Sequence, residues 1–286
     1  MKIHHLNCGC MCPLGGALFD GFSRSLTAHL VCHCLLIETS QELILVDTGF
    51  GLRDVRSPYS RLSPFFIYTN NIQFDQKYTA IEQIKQLGFS AQDVRHIVLT
   101  HLDFDHAGGL EDFPDATVHL MQSESETARD RKGFIAHRRY RPQQWDEVKS
   151  WQHYAAGGEP WFGFEAARDL AGLPPEILLI PLAGHTKGHA GVAIQTSEGW
   201  LLHAGDAYFY REEMNPSAPT CTPGLRAYQW LMEVDRPARL FNQDRLRQLA
   251  RDPNREVCLF CSHDAVEFKS LADQSNRSQS ETLYHR

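Results

Sequence analysis

Residues 100–109 have the sequence THLDFDHAGG, which places two histidines and two aspartates within six positions. The apolar run 97–99 precedes them and predicts a short buried strand. Gly108 and Gly109 follow, and a short helix is predicted to begin near Leu110. The four polar side chains should therefore lie on a turn at the end of a core strand, where a rigid element holds them and solvent still reaches them.

The polar side chains on this turn, those of His101, Asp103, Asp105 and His106, are of the types that bind Zn, Fe, Mn or Co. The group contains no cysteine, which argues against a closed structural zinc site. A polar loop that caps a helix through Asp103 or Asp105 is the alternative interpretation. Two imidazoles and two carboxylates together after a buried strand favour the metal site.

Four further segments combine a short apolar strand with ligand-type residues at its end. They are LVDTG at 45–49, GHTKGH at 184–189, HAGD at 203–206 and SHD at 262–264. Together with residues 101–106, and in this order, they resemble the motifs of the metallo-β-lactamase superfamily, whose metal-binding sequence is His-x-His-x-Asp-His. The resemblance covers about residues 30–265, and its one departure is Asp103, which stands where the family has a second histidine.

The resemblance implies an α/β (α+β) fold, the metallo-β-lactamase-like αββα sandwich, in which two mixed β-sheets face each other and helices lie outside. Predicted strands outnumber helices and arrive in hairpins, which is compatible with that fold. We expect one domain over residues 1–270 and a polar C-terminal tail over 271–286. Residues 123–175 are predicted to form an insertion or lid over the site, because much of this segment is basic, aromatic and without a clear period.

Local sequence patterns predict the elements between the motifs. Residues 14–27 and 51–74 contain polar residues, glycine and proline and are predicted to be irregular. The aromatic residues of 51–74 are compatible with a pocket wall, with an oligomer contact such as a homodimer, or with packing on the core. Residues 225–234 and 241–250 are predicted helices, the second with a solvated Gln243.

The composition limits the classes of function. The chain has 286 residues, 42% of them hydrophobic, which is enough for one large domain with a sizeable core. Its net charge is −7 and no basic block occurs, so a nucleic-acid partner is not expected. No signal-like segment opens the sequence and no apolar run reaches the length of a membrane span. These features predict a cytoplasmic protein with eight reduced cysteines and no membrane partner.

The resemblance implies a site for two divalent metal ions. One ion would be bound by His101, Asp103 and His189, and the other by Asp105, His106 and His263. Asp206 and a hydroxide would bridge the two ions, His185 would orient its loop, and His203 would pack in the core. Zinc is the expected metal, and the oxygen ligand that Asp103 supplies in place of nitrogen also admits Fe or Mn.

Two divalent ions close together lower the pKa of a shared water to near neutrality and polarise a carbonyl under attack. The chain is therefore expected to be a metal-dependent hydrolase whose bridging hydroxide opens a lactone or cleaves a small ester. With Asp103 in place of histidine, the summed charge of ions and carboxylates falls from about +2 to about +1, which predicts a less acidic water.

The segment LDFDHAGG and the chain length look most like the acyl-homoserine-lactone lactonase branch of the family. In that branch a tyrosine shortly after the bridging aspartate assists the leaving oxygen. Phe209 occupies that place here, and Tyr208 and Tyr210 flank it. Either tyrosine is a candidate for a catalytic role beside Asp105, and simple packing is the alternative for both.

Other classes of protein stay open as alternatives. A thioester hydrolase similar to glyoxalase II would share the Gly-His-x-x-Gly-His motif, but the basic C-terminal region of those enzymes is not identifiable in the sequence. An iron-dependent oxidoreductase on the same fold, such as a sulfur dioxygenase or a diiron reductase, would match the acidic residue at Asp103, although no room is left for a flavin domain. A binding protein with a degenerate site is disfavoured by the complete ligand set.

Overall fold

Two β-sheets form the centre of the computed structural model, which describes residues 1–251 and 256–284. The first sheet contains β1 (Lys2–Met11), β2 (Leu30–Glu38), β3 (Leu43–Val46), β4 (Ile72–Gln73), β5 (Val94–Val98), β6 (Thr117–Met121) and β7 (Ser150–Tyr154). The second contains β8 (Glu159–Trp161), β9 (Phe164–Asp169), β10 (Ile177–Pro181), β11 (Ala190–Thr196), β12 (Gly199–His203) and β13 (Val257–Phe260).

Both sheets are mixed, as predicted. The first has the order β4-β1-β2-β3-β5-β6-β7, with antiparallel pairing as far as β3 and parallel pairing from β3 to β7. The second has the order β13-β12-β11-β10-β9-β8 and is antiparallel except for the parallel pair β12 and β13. Because parallel neighbours end at the same edge, the loops after β3 and β5 meet, and so do those after β12 and β13.

The helices lie between the strands in sequence, and some of them pack against the sheets. They are α1 (Ala17–Asp20), α2 (Leu52–Arg56), α3 (Pro58–Arg61), α4 (Pro64–Thr69), α5 (Ala80–Gln86), α6 (Gln122–Asp130), α7 (Phe134–Arg139), α8 (Pro223–Met232), α9 (Arg236–Ala250) and α10 (Ala265–Tyr284). Among the described residues, no helix combines the length and the apolar character that crossing a bilayer requires.

Alternate residues of a strand face opposite sides of its sheet. Apolar side chains are therefore buried between the two sheets and also on the outer face of each sheet. Leu35 of β2 and Val192 of β11 belong to one buried cluster, which contains residues of both sheets. Leu36, the neighbour of Leu35, belongs to the outer cluster that includes Ile84 of α5. Leu246 of α9 covers the outer face of the second sheet. The predicted αββα sandwich is therefore confirmed.

Several local predictions differ from the structure. Residues 14–27 contain α1, and residues 51–74 contain α2, α3, α4 and the short strand β4. Pro58 and Pro64 begin helices at the first position, where the missing N–H has no intrahelical partner to lose, instead of interrupting structure. The predicted polar tail is helical in α10 as far as Tyr284, and the last two residues lie outside the described ranges.

Two further predictions concern α9 and the segment 123–175. Gln243 is buried on α9, where its amide donates to the carbonyl oxygen of Ala207 over 2.9 Å, so the prediction that it is solvated is wrong. Within 123–175, β7 extends the edge of the first sheet while β8 and β9 extend the second. The helix α7 of the same segment carries Arg139 to the predicted metal ligands.

Candidate metal centre

Asp47 supports the turn 101–106 from below. It follows β3, which is parallel to β5, so its carboxylate lies under the residues that follow β5. Its Oδ1 accepts the backbone N–H of Thr100 over 2.8 Å, and its Oδ2 accepts the Thr100 hydroxyl over the same distance. His106 donates from Nδ1 to Asp47 Oδ2 over 2.8 Å, which directs the Nε2 lone pair of His106 away from the core.

The first ligand group consists of His101, Asp103, His185 and Asp206, all buried. Oδ2 of Asp103 is 3.4 Å from Nε2 of His101 and 3.0 Å from Nε2 of His185. Oδ2 of Asp206 is 3.7 and 3.3 Å from the same two nitrogens. Four atoms bound tetrahedrally to one Zn²⁺ would be separated by about 3.4 Å, so this spacing fits a single cation.

The second ligand group consists of Asp105, His106, His263 and the other oxygen of Asp206. Oδ1 of Asp206 is 3.3 Å from Nε2 of His106 and 3.2 Å from Nε2 of His263. Oδ1 of Asp105 is 3.9 Å from Nε2 of His106, and Oδ2 of Asp105 is 3.6 Å from Nε2 of His263. The thiol of Cys32, on β2, lies beside Asp105 and His263. Asp206 therefore presents one carboxylate oxygen to each group, as expected of a bridging ligand.

Unsatisfied polar atoms show that these residues suit a cation. Nε2 of His101, Nε2 of His106 and Oδ1 of Asp206 are buried, and none has a hydrogen-bond partner among the described residues. Buried polar atoms without partners are rare in folded proteins because desolvation costs free energy. A divalent ion bound by the lone pairs of these atoms would remove that cost. The side chains present thus fit the metal that their chemistry implies.

The structure places His185 in the first group and keeps His189 out of it, which corrects the ligand predicted from the sequence. His189 donates from Nδ1 to the carbonyl oxygen of Leu182 over 3.0 Å. Its Nε2 accepts the backbone N–H of Asp206 over 2.8 Å. Burial and the neighbouring histidines His101 and His185 hold the pKa of His189 well below its usual value, so its ring is neutral. His189 positions Asp206 and has no lone pair left for a metal.

Arg139, which the sequence analysis did not single out, contacts the predicted ligand Asp103. It is buried at the end of α7, where Nε donates to Oδ1 of Asp103 over 2.6 Å and Nη2 donates to Oδ2. Burial alone would raise the pKa of Asp103, but the Arg139 charge holds that pKa well below its usual range. Two divalent ions and three carboxylates have a summed charge of about +1. The guanidinium of Arg139, which that sum leaves out, brings the total to about +2.

Glu124 on α6 is a second residue that the sequence analysis missed. Its Oε1 accepts the backbone N–H of Leu102 over 3.0 Å and the hydroxyl of Tyr140 over 3.2 Å. Its Oε2 accepts the hydroxyl of Thr186 over 2.6 Å and the backbone N–H of Gly188 over 3.2 Å. One buried carboxylate therefore connects the turn 101–106 with the loop that carries His185.

A narrow pocket leads to both ligand groups. Its apolar wall includes Phe19, Leu30 and Met232, and its floor includes Asp105 and His263. The lining combines apolar residues with a few convergent polar groups, as ligand sites do, but its volume of about 10 Å³ holds little more than one water.

Three tyrosines lie near the bridging aspartate, and they differ in their surroundings. The hydroxyl of Tyr208 donates to Glu267 over 3.1 Å, and Tyr210 packs under the guanidinium of Arg211, so neither of these tyrosines lines the pocket. Tyr228 on α8 does line it, and its hydroxyl oxygen accepts the side-chain N–H of Asn70 over 3.2 Å. The predicted catalytic tyrosines Tyr208 and Tyr210 therefore lie outside the described pocket lining, and Tyr228 lies within it.

The αββα sandwich, with imidazoles and carboxylates gathered at one edge of its sheets, has the architecture of a metal-binding protein. The model of the metallo-β-lactamase superfamily matches residues 28–261 of the chain. Probable metallo-hydrolases of Mycobacterium tuberculosis and Mycobacterium bovis are 39% identical to it over 273 residues, which is 96% of this chain and 83% of each relative. The chain belongs to the metallo-β-lactamase superfamily, which confirms the resemblance found in the sequence.

More distant relatives include lactonases. An N-acyl homoserine lactonase of Bacillus cereus is 24% identical over 214 residues, which is 72% of this chain and 78% of that relative. A solved N-acyl homoserine lactone hydrolase, with the product N-hexanoyl-L-homoserine bound at its catalytic metal centre, has a TM-score of 0.70 and 21% identity. The match covers 94% of this chain and 95% of that one, and it shows a common fold.

Proposed function

We propose that the chain is a metal-dependent hydrolase that opens a lactone or cleaves a small ester. The observation that carries this proposal is the division of the Asp206 carboxylate between two groups of buried ligands at the floor of a pocket. When bound there, divalent cations would lower the pKa of a water and polarise the substrate carbonyl. Zinc is the expected ion because the ligands are imidazoles and carboxylates, and Fe or Mn is the alternative.

The residues of the site would have two roles, binding of the cations and exclusion of water. His101, Asp103 and His185 would hold one cation, Asp105, His106 and His263 the other, and Asp206 would contact both. The apolar wall around Leu30 and Met232 would exclude water from the acyl part of the substrate.

Tyr228 would donate a proton to the leaving oxygen. Because Asn70 donates to the Tyr228 oxygen, the phenolic proton is free to be directed at a substrate in the pocket. Burial and the nearby carboxylates of Asp105, Asp103 and Asp206 raise the pKa of Tyr228 well above its usual value, so the phenol keeps its proton at neutral pH. This role is the one that the sequence analysis assigned to Tyr208 or Tyr210.

The relatives support a hydrolase and leave the substrate open. The mycobacterial proteins are named as probable metallo-hydrolases, and the Bacillus cereus relative is named as a lactonase of N-acyl homoserine substrates. A screen of zinc-loaded protein against lactones, aryl esters and thioesters tests the proposal. We expect turnover of at least one lactone or ester, and activity on thioesters alone would replace the proposal with the glyoxalase II-like alternative.

The variant Tyr228→Phe tests the proton donor. We expect kcat to fall by about 10²-fold, the usual size of a general-acid contribution, with little change in bound zinc. Tyr68→Phe is the matched control because Tyr68 is an exposed tyrosine on α4, and its kcat should not change. Equal kcat values for the Tyr228→Phe and Tyr68→Phe proteins would remove Tyr228 from the mechanism.

A further inference from the structure

We propose that Arg139 makes the two ligand groups unequal, so that the group around His106 and His263 binds a divalent ion tightly while the group around His101 and His185 binds one weakly. Arg139 acts as an internal cation that competes for the ligands of the first group. This inference rests on the metal binding proposed above, but it does not depend on the substrate or on any hydrolytic activity.

The first step in the argument is competition for lone pairs. Nη2 of Arg139 lies 2.7 Å from Nε2 of His185, within hydrogen-bonding distance. An imidazole nitrogen has one lone pair, which accepts a hydrogen bond or binds a metal but does not do both. Arg139 also occupies both carboxylate oxygens of Asp103. A cation in the first group must therefore displace or share contacts that the guanidinium already makes.

The second step is charge. A guanidinium stays protonated under all ordinary conditions, so a divalent ion in the first group would lie beside a permanent positive charge. The pair is buried, with Arg139 and Asp103 each about 1% exposed, so water screens this repulsion poorly. The second group differs, because no lysine or arginine in the described ranges forms a salt bridge with Asp105 or Asp206.

The third step is the anchoring of Arg139. Its Nη1 donates to the carbonyl oxygen of Met232 at the end of α8, over 2.7 Å. The next residue, Tyr140, forms an isolated backbone bridge with Asp103. The guanidinium is thus held by Met232 and Asp103, and the backbone beside it is held to Asp103, so an ion entering the first group would meet the guanidinium in place. It is a built-in part of the first group.

Zinc titration of the metal-free full chain, followed by native mass spectrometry, tests the proposal. For the wild-type protein we expect one ion to bind at stoichiometric zinc and a second only at a zinc concentration higher by about 10–100-fold, the usual effect of residues around metal ligands. In Arg139→Met the repulsion and the competing hydrogen bonds are gone, so the second ion should bind with an affinity increased by the same factor.

Two controls make the outcome clear. Arg138→Met changes a half-buried arginine that contacts the ring of Phe134, and it should titrate like the wild type. Arg139→Lys keeps the charge without the planar fork, so its second ion should stay weak. Tight binding of two ions by the wild type, or weaker zinc binding by Arg139→Met, would overturn the proposal, and the wild-type result decides even where a variant does not fold.

The same experiment is separable from the proposed hydrolase function. A chain that binds one zinc tightly and one weakly, but cleaves no lactone, ester or thioester, would contradict the proposed function and support the role of Arg139. A chain that binds two zinc ions with equal affinity and has esterase activity would support the proposed function and contradict the role of Arg139.

Discussion

Replacing Glu124 by glutamine should weaken the connection between the turn 101–106 and the loop that carries His185. The Glu124 carboxylate is fully buried and accepts four hydrogen bonds, from Leu102, Tyr140, Thr186 and Gly188. Two of these partners, the backbone N–H groups of Leu102 and Gly188, can only donate, whereas the hydroxyls of Tyr140 and Thr186 can also accept. Burial raises the pKa of the Glu124 carboxyl. Glutamine keeps one acceptor oxygen and turns the other into an NH₂ group that faces donors.

The cost follows from the number of bonds lost. Glu124→Gln removes the acceptor of two donors, either Leu102 and Tyr140 or Thr186 and Gly188. A hydrogen bond to a charged group contributes about 1.5–3 kcal/mol, so the loss is about 3–6 kcal/mol. Because the hydroxyl partner of each pair can rotate, we expect the lower end, about 3 kcal/mol. At about 2–4 °C per kcal/mol, Tm should fall by roughly 6–12 °C.

Thermal unfolding followed by circular dichroism, with and without zinc, measures this effect. Glu126→Gln is the matched control, since Glu126 is exposed on the same helix and accepts a hydrogen bond from the side chain of Gln122. Its stability should change by less than about 0.5 kcal/mol. If Glu124→Gln and Glu126→Gln unfold at the same temperature, the reasoning that gives Glu124 a connecting role is refuted.

Three more predictions follow from the site and its surroundings. His263→Ala removes a ligand and should lose the tightly bound zinc. His189→Ala removes only the support of Asp206 and should retain more zinc than His263→Ala; elemental analysis of the purified variants compares them. Asp47→Asn should weaken zinc binding by about 10–100-fold, because the amide can present its NH₂ group to His106; calorimetric titration measures the loss. Burial and a neighbouring carboxylate raise the pKa of Glu267 from 4.5 to about 8, so its contribution to stability is present at acid pH and is lost as pH rises through 8. In Glu267→Gln, which does not ionise, Tm should fall less between about pH 5 and pH 9 than in the wild type, and identical pH profiles would contradict this assignment.

The fold and much of the site follow from short-range patterns in the sequence. Each apolar run that ends in an aspartate or histidine became a strand of one of the two sheets. Parallel pairing of β3 with β5, and of β12 with β13, then brings Asp47 to the turn 101–106 and Asp206 to His263. The sequence predicts these residues because the apolar run that marks the strand lies within a few positions of each of them.

Other parts of the site depend on contacts that no local pattern encodes. The motif GHTKGH contains His185 and His189, and only the surroundings, the backbone partners of one and the carboxylates near the other, distinguish them. Arg139 lies 36 positions from Asp103 in the chain, beside the similar but only half-buried Arg138. Tyr228 reaches the pocket from a helix whose sequence carries no sign of the site.

Helices in proline-containing or polar segments were the other source of error. Pro58 and Pro64 begin helices within a segment whose sequence predicts irregular chain, because the first turn of a helix accommodates proline well. Gln243 was expected in solvent because it is polar, but it satisfies its amide within a buried network that includes Ala207 and Gln229. Propensity alone does not predict which polar side chains find buried partners.

Anomalous diffraction from crystals of the zinc-loaded chain tests the central claim most directly. The account predicts that the strongest anomalous peak lies between the side chains of Asp105, His106, Asp206 and His263. A zinc-loaded crystal with no peak among these residues, or with its strongest peak at surface histidines, would contradict the metal centre on which the proposed function depends.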